Sequence, residues 1–232
     1  LVLGDSATAT LNSSSTVSGT VGLSTGSTLN LKDGASTGAI STDVNSEGDI
    51  TIDGTVSTAG NYGSSSLKLN SIAIGASDTL NAATNNNALF SDLVTIGSSG
   101  VLTLGTGAVT GTVQGLSDDD GTVNINGSQT LAGALGTSSN SLELVAIGGS
   151  ATVNTGTNAI DTVSLTVADG ATLTVANDIT VLSNATVGGG TSGVLNVNSG
   201  KTLTGNVALA AGAQLGLTGS VTGSITGSTD GV

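Results

Sequence analysis

The chain has 232 residues, a formal charge of −13 from 16 acidic residues against 3 basic ones, and 37 glycines, with no Cys, His, Met, Pro or Trp. Disulfides, zinc–thiolate sites, cysteine nucleophiles and histidine acid–base or metal chemistry are therefore excluded. The three cations are all lysines, Lys32, Lys68 and Lys201, so no arginine fork is available for phosphate or carboxylate. A charge of this sign argues against a nucleic-acid partner, and no apolar run reaches membrane-spanning length, so no membrane insertion is expected.

The elements expected along the chain are short strands. Aliphatic residues alternate with polar ones in brief bursts, the period of a strand with one buried face. In chain order the main bursts are Leu29–Leu31, Ile50–Ile52, Leu67–Leu69, Leu102–Leu104, Val123–Ile125, Leu142–Leu144, Leu173–Val175, Leu195–Val197 and Leu215–Leu217. Secondary bursts lie at Val163–Val167, Ile179–Val181 and Val207–Leu209, with Val153 marking another. Turn pairs punctuate them: Asp33-Gly34, Asp53-Gly54, Asn126-Gly127, Asp169-Gly170 and Ser199-Gly200. The best helical candidate, Asn87 to Val94, is short and poorly patterned.

The spacing of the bursts carries the fold. Leu29 to Ile50 and Leu102 to Val123 are each 21 residues, Val123 to Leu142 is 19, Leu173 to Leu195 is 22, and Leu195 to Leu215 is 20. Steps of 35 (Leu67 to Leu102) and 31 (Leu142 to Leu173) leave room for loops or bulges. A unit of about 20–22 residues with two or three short strands predicts an all-β chain: a single parallel β-helix, or β-solenoid, domain over 1–232 with about 10–11 coils. Coils spaced about 4.8 Å apart would give a rod roughly 50 Å long. The competing β-sandwich normally buries aromatics, and this chain has only Tyr62 and Phe90. The positive mean hydropathy, +0.32, and the absent proline argue against disorder. The interior is expected to hold Leu29, Ile50, Leu102, Val123, Leu173, Leu195 and Leu215, with Phe90 filling a widened coil and Asn85 to Asn87 at its turn.

The phrases Gly170-Ala-Thr-Leu-Thr-Val175, Gly193-Val-Leu-Asn-Val-Asn-Ser-Gly-Lys-Thr-Leu203 and Gly100-Val-Leu-Thr-Leu104 resemble the Gly/Thr/Asn-rich β-helical passenger regions of bacterial autotransporters and related surface proteins. The resemblance implies export, a right-handed parallel β-helix, an extracellular or cell-surface location, and an adhesive or structural role. No outer-membrane barrel sequence accompanies it. The chain opens Leu1-Val2-Leu3-Gly4-Asp5, without Met or a signal peptide, as a processed chain or an internal piece would.

Three groups of residues are weighed as sites: an acidic turn, the threonine pairs together with the glycosylation sequons, and the ends. Asp118-Asp119-Asp120-Gly121 places three carboxylates in one turn, where Ca²⁺ is the cation they would suit; a solvated acidic turn is the plainer reading, and no other cofactor is expected. Catalysis is not expected: a polysaccharide lyase needs a basic residue for the proton, and a glycosidase needs two carboxylates at a set separation. Ice binding would need Thr-x-Thr pairs in register. Thr8–Thr10, Thr110–Thr112, Thr155–Thr157, Thr172–Thr174 and Thr202–Thr204 do not recur at the coil period. Asn12, Asn126 and Asn184 begin glycosylation sequons, which are common by chance in so Ser/Thr-rich a chain. The third group is the ends. The first twenty residues hold one charge, Asp5, and the last twenty one, Asp230, with no capping pattern. Leu1, Val2, Leu3, Val221 and Ile225 are therefore the expected subunit contacts. The chain reads as a structural subunit of an extracellular filament, sheath or surface layer whose partners are copies of itself, paired head to tail. The alternative is an adhesin-type segment with a cell-surface or glycan ligand.

Overall fold

The structure, a computed structural model, describes residues 1–190 and 192–227. Over these residues the chain is all β, with strands of two to nine residues, no helix, and about 11 turns of a parallel β-solenoid. No helix among the described residues is long and apolar enough to cross a membrane. A six-stranded sheet runs from Thr8–Leu11 to Val109–Gly115, and a ten-stranded sheet begins at Thr55–Ser57 and ends at Ser220–Thr222 and Ile225–Gly227. A five-stranded sheet joins Gln129–Thr130 to Gln214–Leu217, and two short sheets complete the first coils.

Register follows the spacing of the bursts. Leu29 pairs with Ile50, Leu102 with Val123, Leu173 with Leu195 and Leu195 with Leu215, all in parallel. Each buried position is thereby stacked on an aliphatic in the next coil. Leu29, Ile50, Leu102, Val123, Leu173 and Leu195 are fully buried. Leu215 is only half-buried, because its strand, Gln214–Leu217, has a neighbour on one side alone among the described residues.

The departures from simple alternation lie where strands turn a corner. Val123 pairs with Val145, not Leu142. In Leu142–Ile147 the inward residues are Leu142, Val145 and Ile147, while Glu143 is exposed and Leu144 half-buried on the outside. Leu142 pairs instead with Thr162. Thr162 is itself buried, its hydroxyl donating to the carbonyls of Leu142 and Ser164 at 2.9 Å each, and this bulge puts Val163 outside. Leu67 is not in a strand; it closes a turn on Ser64, and the strand begins at Leu69.

The interior aromatic is Tyr62, not Phe90. Inward Leu89 takes the core position in its strand, so alternation turns Phe90 outward, where it is half-buried. Tyr62 is fully buried, its hydroxyl bonded to Thr37 Oγ1 at 3.1 Å. Burial pushes its phenol up to about 12, and the Thr37 bond offsets part of that shift. Asn85 and Asn87 do sit at the turn, donating to the Thr58 carbonyl at 3.2 and 3.0 Å. The helical candidate Asn87–Val94 is instead mostly strand, Leu89–Ile96.

Corner glycines allow coils to approach closely. Gly111 has φ +84°, and a Cβ on Gly133, one coil on, would overlap the Gly111 carbonyl oxygen. Only glycine fits both positions.

The register makes adjacent positions unequal. Leu173 is buried between Val153 and Leu195, whereas Thr174 faces outward between Asn154 and Asn196. Leu173→Asp buries a carboxylate without a partner and is expected to cost about 3 kcal/mol or more. Thr174→Asp loses only strand preference, about 1 kcal/mol. Thermal and urea unfolding of the two variants checks this; equal destabilisation would contradict the register.

Candidate functional site

Two regions hold the candidate residues: the end coils and the acidic turn. In the first coil, Val2–Leu3, Thr8–Leu11 and Thr16–Val17 pair on one side only among the described residues, with Val21–Leu23, Thr28–Lys32 and Ser36–Thr37. The backbone N–H groups of Gly22 and Ser24 donate to the carbonyls of Leu1 (2.8 Å) and Leu3 (3.2 Å). A parallel strand bonded this way on one edge presents its alternate peptide groups on the other. Leu1 is 54 % and Val2 78 % exposed. Leu3 is turned into the core, so only its backbone edge is available for a contact. Beside Val2 lies a shallow depression lined by Leu23, Ser24, Ser41, Thr42 and Asp43.

At the opposite end, Gln214–Leu217, Ser220–Thr222 and Ile225–Gly227 likewise have strand neighbours on one side only among the described residues. Ile225 is 47 % exposed, while Val221 packs half-buried against the core. Leu217, read from the sequence as an interior partner of Leu215, is 45 % exposed at this edge and joins the apolar surface. No charged side chain lies between Ala213 and Gly227, and Asp230 falls outside the described residues. The strands at the two ends belong to different sheets, so a contact between them is heterologous.

The acidic turn is organised around Ser141, one coil on. Asp118 Oδ1 accepts the Ser141 backbone N–H (3.0 Å) and lies 2.8 Å from its hydroxyl, which is 2.6 Å from Asp119 Oδ1. Asp120 bends back and accepts the Ser117 N–H at 3.1 Å. Asp119 has φ +63° and Gly121 φ +79°; Asp118 and Asp119 thus meet at the Ser141 hydroxyl while Asp120 is directed back to Ser117. Among the described residues no three acidic side chains are grouped to hold a metal ion. The Ser141 backbone N–H, and then its hydroxyl, hold Asp118 below the usual carboxylate range. Asp161 is pushed up, chiefly by partial burial and then by the charges of Asp118 and Asp119.

The threonine pairs form no continuous array. Thr172–Thr174 lies between Thr152–Asn154 and Val194–Asn196, and Thr8–Thr10 against Thr28–Asn30. Thr155 points inward and takes the backbone N–H groups of Ala176 and Asn177. Leu116 and Leu182, exposed at 63 % and 59 %, are not legible from the alternation, because each stands outside an alternating burst. Compared with known proteins, the chain matches no family model, no curated protein and no solved structure.

The two shifted carboxylates act on stability in opposite senses. Asp118 binds its proton more weakly in the fold, so its contribution is present above the ordinary carboxylate value of about 3.9 and is lost as pH falls through the lowered value. Asp161 binds its proton more tightly in the fold, so it lowers stability as pH rises from the ordinary value through the raised one. Asp161→Asn should therefore raise the melting temperature slightly at pH 7 and leave it nearly unchanged at pH 3. Ser141→Ala should move Asp118 partway back toward the ordinary range, since the backbone N–H remains. Carboxyl-carbon NMR titration and melting curves at the two pH values check both.

Proposed function

We propose that the protein is a non-enzymatic structural subunit of an extracellular filament, sheath or surface layer, extended by β-strand pairing between end coils of successive copies. The observation that carries this reading is the pair of apolar, nearly uncharged coil edges, with Leu1 and Val2 on one and Leu217 and Ile225 on the other. Parallel strands with one free edge are templates for a further parallel strand. Neither edge carries the lysine or proline that blunts such templates. Because the two ends come from different sheets, each copy offers one edge and receives the other, and the contact repeats without closing. The carboxylates lie mainly in turns along the rod, where they keep its flanks solvated and leave the ends free of charge repulsion. The resemblance to exported β-helical passengers supports a cell-surface location for such a rod.

Sedimentation of the intact chain tests this. The wild-type protein should form species larger than one rod at high micromolar concentration. Val2→Lys combined with Ile225→Lys puts a charge on each edge and should return it to monomer with its melting curve preserved. A wild-type chain that stays strictly monomeric would refute end pairing.

A further inference from the structure

The acidic residues are distributed unevenly around the rod. The six-stranded sheet carries Lys32, Asp49, Asp53 and Asp92 along its strands. The ten-stranded sheet carries no charge at its outward positions in Val101–Leu104 and Thr122–Ile125, or at residues 144–147 and 164–167. Its outer surface there mixes aliphatic and uncharged polar groups: Val101, Leu144 and Ala146 are half-buried among Thr103, Thr122, Asn124, Ser164 and Thr166. The flanks are acidic: Asp78, Asp118 to Asp120 and, in the first residues of their own strands before these bend onto the face, Glu143 and Asp161 lie on one side, and Asp169 on the other.

We propose that this face is a lateral interface, taken by a second copy of the same chain lying side by side. Three observations select that occupant. First, a molecule of charge −13 approaches its own copy with least repulsion where its surface has no charge, and this face combines that neutrality with the greatest length. Second, the area suffices: the eight stacked strands from Thr55–Ser57 to Thr202–Leu209, at ~4.8 Å spacing and each ~13 Å across, give roughly 500 Å² per copy, or about 1,000 Å² in total, at the lower limit of specific interfaces. Third, the face is suited to self-complementary packing. A two-fold axis through its central strand, Leu142–Ile147, sets Leu144 and Ala146 against their own copies, with small side chains on either side. The five-stranded sheet is also uncharged on its strands, but it is half as long, and its outward residues are mostly Thr and Asn.

This contact does not use the end coils, so it stands or falls apart from end pairing. The acidic corners meet along the rims of the paired faces, and salt screens them over about 8–10 Å. Sodium chloride therefore strengthens the association.

The chain has no cysteine, so one introduced thiol reports the contact without ambiguity. Ala146→Cys, treated with a short bis-maleimide in 0.5 M sodium chloride, should give a covalent dimer at least tenfold faster than Thr95→Cys, which faces outward on the six-stranded sheet. Thr103→Glu should weaken dimerisation at least tenfold by sedimentation, with the melting curve preserved, whereas Thr95→Glu should not. Val2→Lys with Ile225→Lys should leave the Ala146→Cys cross-link intact. Equal cross-linking of Ala146→Cys and Thr95→Cys would overturn the proposal. So would preferential cross-linking through Thr174→Cys on the five-stranded sheet, or an unchanged association constant for Thr103→Glu.

Discussion

Everything in this molecule depends on the parallel backbone ladder between successive coils. Each strand bonds the strand 18 to 24 residues on, so side chains in register sit above their counterparts in the next coil. The ladder supplies partners for the backbone polar groups that a narrow rod would otherwise leave unsatisfied. It also sets the composition. A cross-section only a few side chains wide is filled by Leu, Ile, Val and Ala, and only one buried aromatic, Tyr62, has room. Small residues elsewhere follow from corners where one coil's backbone rests directly on the next, as Gly133 rests on Gly111.

The same ladder explains how far the fold was legible in the sequence. Stacking repeats a buried aliphatic at the coil length, so the spacings of Leu29 to Ile50 and Leu173 to Leu195 are the inter-coil registers themselves. The reading slipped where a strand bends between faces. At Leu142–Ile147 and Asp161–Val167 an extra outward residue enters the strand, alternation changes phase, and Leu144 and Val163 fall outside. Phe90 was misplaced for a related reason: size suggested a core filler, but parity with Leu89 decided its side of the sheet. Nothing in composition marks a bulge, because the residues that form it are the same Thr, Ser and Asn that cover an ordinary outer face.

The candidate sites were legible to different degrees. The end strands stand out because charge is sparse in them, and that property survives folding. Leu3 differs from Val2 only by parity, which turns one inward and leaves the other exposed. The acidic turn was legible as a cluster but not as a geometry. The turn aims Asp118 and Asp119 at Ser141, a full coil away, and sends Asp120 back to Ser117. Contacts of that kind are set by register, so they become visible only once the coil length is known residue by residue.

Among the described residues the ladder pairs the first and last coils on one side only, and the small outward side chains leave flat faces between the corners. Stability and adhesiveness therefore have the same origin in this architecture. What separates them is charge placement. Corners tolerate Asp because their turns need a short side chain that accepts backbone N–H groups, as Asp118 does from Ser141 and Asp33 from Thr55. A carboxylate stacked on a carboxylate at about 4.8 Å is repulsive along the ladder, so charge on a strand face needs a different partner in the next coil. The six-stranded sheet shows this, with Asp53 paired to Lys32 and Asp92 to Lys68. Where the next coil offers no such partner, as at residues 101–104, 122–125, 144–147 and 164–167, the outward positions are neutral, and a second copy can approach there without bringing like charges together.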